Sequence, residues 1–154
     1  MTASAGQRAE HNPAAGYPAL WPVTTRWDDN DHYGHVNNVT YYSYFDTAVN
    51  GWLMHTTGVD IRDLSAIGVV AETSCKYHRE LSFPDSLQVG LSVEKLGTRS
   101  IVYLLGLFRE SADDELQLAA TGRFVHVYVD STTRRPVPIP TEIEAAARTL
   151  VIPS

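Results

Sequence analysis

The sequence predicts an α+β domain in which one long helix lies against an antiparallel sheet. Three observations carry this. Val39 to His55 is the one long stretch that repeats apolar residues at three- and four-residue steps. From Ile67 onward the pattern changes to period two. Gly- and Pro-bearing turns then divide that second part into strands, giving the order strand, long helix, four strands.

The first 17 residues are rich in Ala, Gly and polar types and lack the apolar core of a signal peptide. They read as a disordered tail, with a single domain over 18–154. Leu20 to Trp27 carries Val23, Thr24 and Thr25 and reads as a first strand. Pro18 and Pro22 place it at a sheet edge, because proline cannot donate to a ladder.

A polar loop, Asp28 to Asn37, follows, and then the helix. Tyr41, Tyr42, Phe45, Ala48, Val49, Trp52 and Leu53 give it a wide apolar face. Asn37 or Asn38 is placed to cap its first turn, and Gly58 to end it. Gly51 inside the helix costs about 1 kcal/mol against Ala, which is tolerable where the helix needs room against a sheet. A sheet of this size can wrap most of the way around one helix, and that accounts for the many aromatics.

After a short segment, Asp60 to Ser65, Ile67, Val69, Ala71, Thr73, Cys75 and Tyr77 alternate with more polar partners. Phe83-Pro84-Asp85 is a turn. Leu87, Val89, Leu91 and Val93 alternate as in a strand with one wet face. Ser100 to Phe108 is apolar on both faces and reads as a central strand. Ser111 to Glu115 is an acidic hairpin tip. Leu116 to Val129 is the last long strand, with Gly122 as a candidate bulge. Pro136, Pro138 and Pro140 end the pairing. Thr141 to Leu150 is a closing helix, with Thr141 as N-cap and Glu144 at the capping-box position.

Composition narrows the function. A formal net charge of −6, with 12 Lys plus Arg, argues against a nucleic-acid binder. No apolar run reaches the roughly 18–20 residues of a membrane span. The single cysteine, Cys75, cannot form an intrachain disulfide, so a reducing cytoplasm is the expected location. In its strand pattern it reads as a small buried hydrophobe.

The polar loop holds the chemistry. Asp28, Asp29, Asp31, His32 and His35 are possible metal ligands. The EF-hand pattern fails, because Tyr33 stands where an oxygen ligand is needed and no Glu closes the loop. The helical H-E-x-x-H pattern and the G-x-S-x-G elbow are both absent, so neither a metal nor a serine nucleophile is expected. A carboxylate folded back over a helix start sits beside amide groups that polarise a carbonyl. Asp31 is the candidate, attacking the carbonyl or drawing a proton from water. From spacing alone, the plainer reading, in which Asp31 caps the loop or pairs with Arg26, stands ahead.

At these residues the sequence resembles the hotdog-fold acyl-CoA thioesterases of the 4-hydroxybenzoyl-CoA thioesterase type. The match runs through Asp29-Asn30-Asp31, Gly34-His35-Val36-Asn37-Asn38, Tyr41, Tyr44-Phe45 and Ala48. It continues in Glu72, Tyr77, Phe83-Pro84-Asp85 and Arg99-Ser100, then Val127-Tyr-Val-Asp130 and Arg135-Pro-Val-Pro-Ile-Pro140. Roughly residues 20 to 148 are covered. The resemblance implies a five-stranded antiparallel sheet around one central helix, paired into a homodimer or homotetramer with active sites at the dimer interface. It implies an acyl-CoA thioesterase that needs water and no cofactor, coenzyme A being part of the substrate. Asp31 is then the catalytic carboxylate and the amide at Asn38 the oxyanion donor.

His35 either orients Asp31 or is a structural hydrogen-bonding group. Tyr41 lines the acyl pocket or belongs to the core. Glu72 approaches the site across the dimer or is a solvated strand carboxylate. Arg99, beside Ser100, is the cation left at the turn where family members hold coenzyme A phosphates, so a carrier-protein thioester is the other form of substrate. Arg134 and Arg135 are further phosphate ligands or exposed loop charges. Two competing functions remain on this fold: a non-catalytic acyl-thioester binder, and an enoyl-thioester hydratase using Asp31 with His35.

Overall fold

The long helix lies inside the curve of a five-stranded sheet. The computed structural model of the protein describes residues 14–152. In chain order come β1 (Ala19–Thr24), α1 (Thr40–Thr57), β2 (Ala66–Tyr77), β3 (Ser86–Leu96), β4 (Ser100–Glu110), β5 (Leu116–Asp130) and α2 (Thr141–Arg148). The sheet order is β1-β3-β4-β5-β2, and every neighbouring pair is antiparallel. The expected α+β architecture, its central strand β4 and its edge strand β1 are all present. No helix among the described residues is long and apolar enough to cross a membrane.

Helix α1 is apolar over most of its girth because the sheet surrounds it. Tyr41, Tyr44, Phe45, Ala48, Val49, Trp52 and Leu53 are all buried. They meet the inward residues of β3, β4 and β5, such as Val89, Leu105 and Phe124, in one core. Asn37 Oδ1 accepts from the Val39 N–H at 3.0 Å, so Asn37 rather than Asn38 supports the helix start. Gly58, at φ 72°, ends the helix in a left-handed turn with its N–H on the Met54 carbonyl. Gly51 has the role expected of it: a Cβ there would lie 2.9 Å from the Trp21 ring of β1.

Four local expectations are corrected. The period-two pattern of β2 does not hold one face throughout, because Ala71 is an extra residue in a bulge between Val70 and Glu72. Before it Gly68 and Val70 pair with Tyr128 and His126; after it Thr73, Cys75 and Tyr77 pair with Phe124, Gly122 and Ala120. Gly122 is not a bulge. The β4–β5 irregularity lies at Leu107/Phe108, and Gly122 instead admits the Phe45 ring, 2.8 Å from where a Cβ would stand.

Strand β3 has no wet face over its middle, since Ser92 is buried and the Tyr17 ring covers Gly90. Finally, Thr141 does not cap α2. Pro140 holds the cap position with no side-chain bond, because its fixed φ starts the helix a residue early, and Glu144 pairs with Arg148.

The expected tail over 1–17 lies outside the described residues except for 14–17. There the Tyr17 N–H bonds the Ala14 carbonyl at 3.0 Å, and the Tyr17 ring lies across Gly90 and Gly106, which pair across β3 and β4.

Candidate active site

The loop between β1 and α1 is shaped by Asp29. Its carboxylate is 3% exposed and accepts from the Arg26 N–H at 2.8 Å, the Arg26 guanidinium at 3.2 Å and the Tyr44 hydroxyl at 2.7 Å. Burial alone would raise its pKa. The Tyr44 and Arg26 hydrogen bonds outweigh that and hold it below the usual carboxylate value. Burial and the Asp29 carboxylate together push the Tyr44 phenol up.

Further pins fix the loop. Asn30 Oδ1 accepts from the Phe83 N–H at 2.9 Å, the Val36 N–H bonds the Leu81 carbonyl at 2.7 Å, and the Ser82 hydroxyl bonds the Gly34 carbonyl at 2.6 Å. Gly34 supplies the positive φ of 87° at the loop tip.

Arg26 is therefore taken by Asp29 and leaves Asp31 alone. Asp31 Oδ1 accepts from the Tyr33 N–H at 2.9 Å and the His35 N–H at 3.3 Å. Oδ2 has no hydrogen-bond partner among the described residues. Thus Asp31 does cap its own turn, as the plainer reading held, yet only one oxygen is used for this. The capping bonds orient the other.

Asp31, His35, Asn38 and Tyr41 line one groove of about 490 Å³. The Asn38 carbonyl accepts the Tyr77 hydroxyl at 2.8 Å, and the Asn38 N–H is untaken among the described residues. Tyr41 forms the floor, buried, with its ring 4.9 Å from that of Tyr77.

The His35 imidazole turns away from Asp31 and meets Glu80 at 3.1 Å. Its backbone N–H, rather than its ring, bonds the Asp31 carboxylate. Among the described residues no cluster of three or more His, Cys, Asp or Glu could hold a metal ion.

Three of the residues expected to bind substrate lie elsewhere in this chain. Glu72 is on the outer face of β2, 4.0 Å from Arg123. Arg99 and Ser100 stand at the turn into β4, where the Arg99 carbonyl accepts the Tyr128 N–H, at the far end of the sheet from the groove. Residues 134 and 135 follow β5 at that same far end. Sequence reasoning missed Arg79, His78 and Glu80, which line the groove just past β2. The run Lys76 to Glu80 was the available signal: charges gathered where the strand pattern stops.

The model of the thioesterase-like superfamily matches residues 25–147. The PA5185 protein of Pseudomonas aeruginosa strain PAO1 is 45% identical, with TM-score 0.84 over 90% of this chain and 95% of that one. The PA2801 protein of the same organism is 30% identical, with TM-score 0.75 over 84% and 98%. A protein of Staphylococcus aureus solved in complex with CoA, SAV2348, shares the fold at 22% identity and TM-score 0.72, over 88% and 85%. No curated protein matches.

Proposed function

As a member of the thioesterase-like superfamily the chain is a thioester hydrolase, and on that premise we propose that it cleaves acyl-CoA thioesters with Asp31 as the catalytic carboxylate. The observation that carries this reading is the division of labour on Asp31: Oδ1 is held by two amides, and Oδ2 is left unbonded in a groove it shares with the untaken Asn38 N–H.

A thioester carbonyl seated between them has its oxygen toward the Asn38 amide at the positive end of α1. Either Oδ2 removes a proton from water as that water attacks, or Oδ2 attacks and water then hydrolyses the mixed anhydride. In both routes the C–S bond breaks and the thiolate leaves with one proton. Arg79 carries no ion pair among the described residues and supports an anionic substrate such as a CoA phosphate. The CoA-bound S. aureus relative is consistent with this.

Strand β2 supports a dimer. This edge strand has twelve residues, nine of them exposed, among them Val69, Val70 and Tyr77. A long, partly apolar edge is a template for pairing. Two copies joined antiparallel through β2 extend the sheet and bring the groove of each to the joint.

The test is thiol release from a panel of acyl-CoAs. Asp31→Asn lowers kcat by about 10²–10⁴-fold, the span usual for loss of a general base. Turnover at the wild-type rate by Asp31→Asn and Asp31→Ala would refute the mechanism.

A further inference from the structure

At the opposite end of α1 from the groove lies a second cavity, of about 580 Å³. It is bounded by Leu53 and Met54 of α1, Ala66 to Gly68 of β2, and His126 and Tyr128 of β5. That volume is within the ~300–1,000 Å³ usual for small-molecule sites. The lining is chiefly apolar; Asn50, Arg62 and Tyr128 add polar atoms, Arg62 being paired with Asp60, and His126 is the buried imidazole among them.

His126 is 3% exposed, and its Nε2 is buried without a hydrogen-bond partner. Neither ring nitrogen is bonded to any described residue. The Tyr103 ring stands edge-on at 5.2 Å, and its buried hydroxyl is also unpartnered. Burial lowers the imidazole pKa against a smaller opposing pull from Asp46, so the ring is neutral near pH 7. A neutral imidazole offers one N–H donor and one bare acceptor. The neighbours on its face, Phe124 and Tyr128, are buried aromatics, Tyr128 lining the same cavity, and a Phe at 126 would satisfy packing without an orphaned nitrogen. Buried polar groups in native proteins normally have partners.

Within one chain the cavity is far from Asp31. Tyr41 and Met54 are thirteen residues apart on one helix, about 20 Å at 1.5 Å per residue. Across the β2 pairing the distance collapses. Ala66 to Gly68 begin β2 and line the cavity; Tyr77 ends it and lines the groove. An antiparallel two-fold near the middle of the strand sets the beginning of one β2 beside the end of the other. The cavity of one protomer then opens onto the groove of its partner.

Resting on the thioesterase reading and on that dimer, we propose that this cavity receives the acyl group of the thioester cleaved at the partner's Asp31, and that His126 hydrogen-bonds an oxygen on that group. The substrate class is a hydroxy- or oxo-acyl thioester with an otherwise apolar body, aliphatic or aryl.

The experiment compares kcat/KM for matched CoA thioesters that differ by one oxygen: octanoyl-CoA with its hydroxy- and oxo-derivatives, and phenylacetyl-CoA with 4-hydroxyphenylacetyl-CoA. Wild-type protein favours the oxygenated member of at least one pair by about tenfold or more, the scale set by satisfying a buried polar group. His126→Phe brings that ratio to about one, and His126→Gln, which keeps a donor and an acceptor, restores part of it. Ratios near one throughout in the wild type, or a preference unmoved by both substitutions, overturn the assignment while leaving thiol release intact. Absence of thiol release from every thioester instead sinks the hydrolase reading and this inference with it.

Placement is tested by co-expressing a chain carrying Asp31→Ala with one carrying Met54→Trp, which fills the cavity. In the mixed dimer one of the two sites is whole, so it turns over octanoyl-CoA at about half the wild-type rate, whereas each variant alone is inactive on it. No recovery in the mixed dimer overturns the cross-subunit placement.

Discussion

Asp29 and Asp31 are two residues apart and do opposite work. One is buried under Arg26 and Tyr44 and holds the loop; the other keeps an oxygen free. Spacing could not separate them, because the pairing of Arg26 is settled by the short 3-10 turn Trp27–Asp29, which the sequence pattern does not announce. Tyr44→Phe removes a hydrogen bond to a buried charge and costs about 1.5–3 kcal/mol, measured by urea unfolding at pH 7. Because the folded Asp29 pKa lies below its ordinary 3.8, its contribution is present above about pH 4 and is lost as pH falls through the folded value. Tyr44→Phe therefore makes stability less steep with pH on the acid side. His126 has a lowered pKa too, but as a base. The unfolded chain takes up the proton first, so stability is full above about pH 6.5 and falls as pH drops from there toward the folded pKa. Melting curves between pH 7.5 and 5 fall less steeply for His126→Phe than for the wild type. The orphaned nitrogen of His126 was not legible in sequence, since a histidine in an alternating strand gives no sign of what stands opposite.

Among the elements, α1 was the most legible, because its wide aromatic face is what a helix enclosed by a sheet requires. Its Gly51 has a definite consequence. Gly51→Ala gains about 1 kcal/mol of helix propensity, yet the added carbon meets Trp21 at 2.9 Å. Overpacking of that kind costs about 1–3 kcal/mol, so the variant unfolds at lower urea than the wild type. Strand β2 was legible in extent but not in facing. One bulged residue, Ala71, exchanges its faces midway, and no local pattern of Val, Ala and Thr distinguishes that from a regular strand. The exchange matters for the site: without it Gly68 and Tyr77 would not both face the helix side of the sheet.

On the scale of the whole molecule, the proposed assembly rests on the edge strand β2. Sedimentation at micromolar concentration gives at least twice the 17.0 kDa chain mass, and thiol release per chain falls on dilution into the range where dimers part. The far cavity could not have been read from the sequence, because α1, β2 and β5 meet there only after the sheet has curved. The single ring of Tyr17 rests on the paired Gly90 and Gly106, 5.7 Å from Phe108. Those glycines leave bare main chain where every neighbouring position carries a side chain. Tyr17→Ala, or proteolytic nicking just after it, would strip the varnish from that strip and leave it sticky, so the shelf life of a purified stock depends on an aromatic residue outside the Asp31 groove.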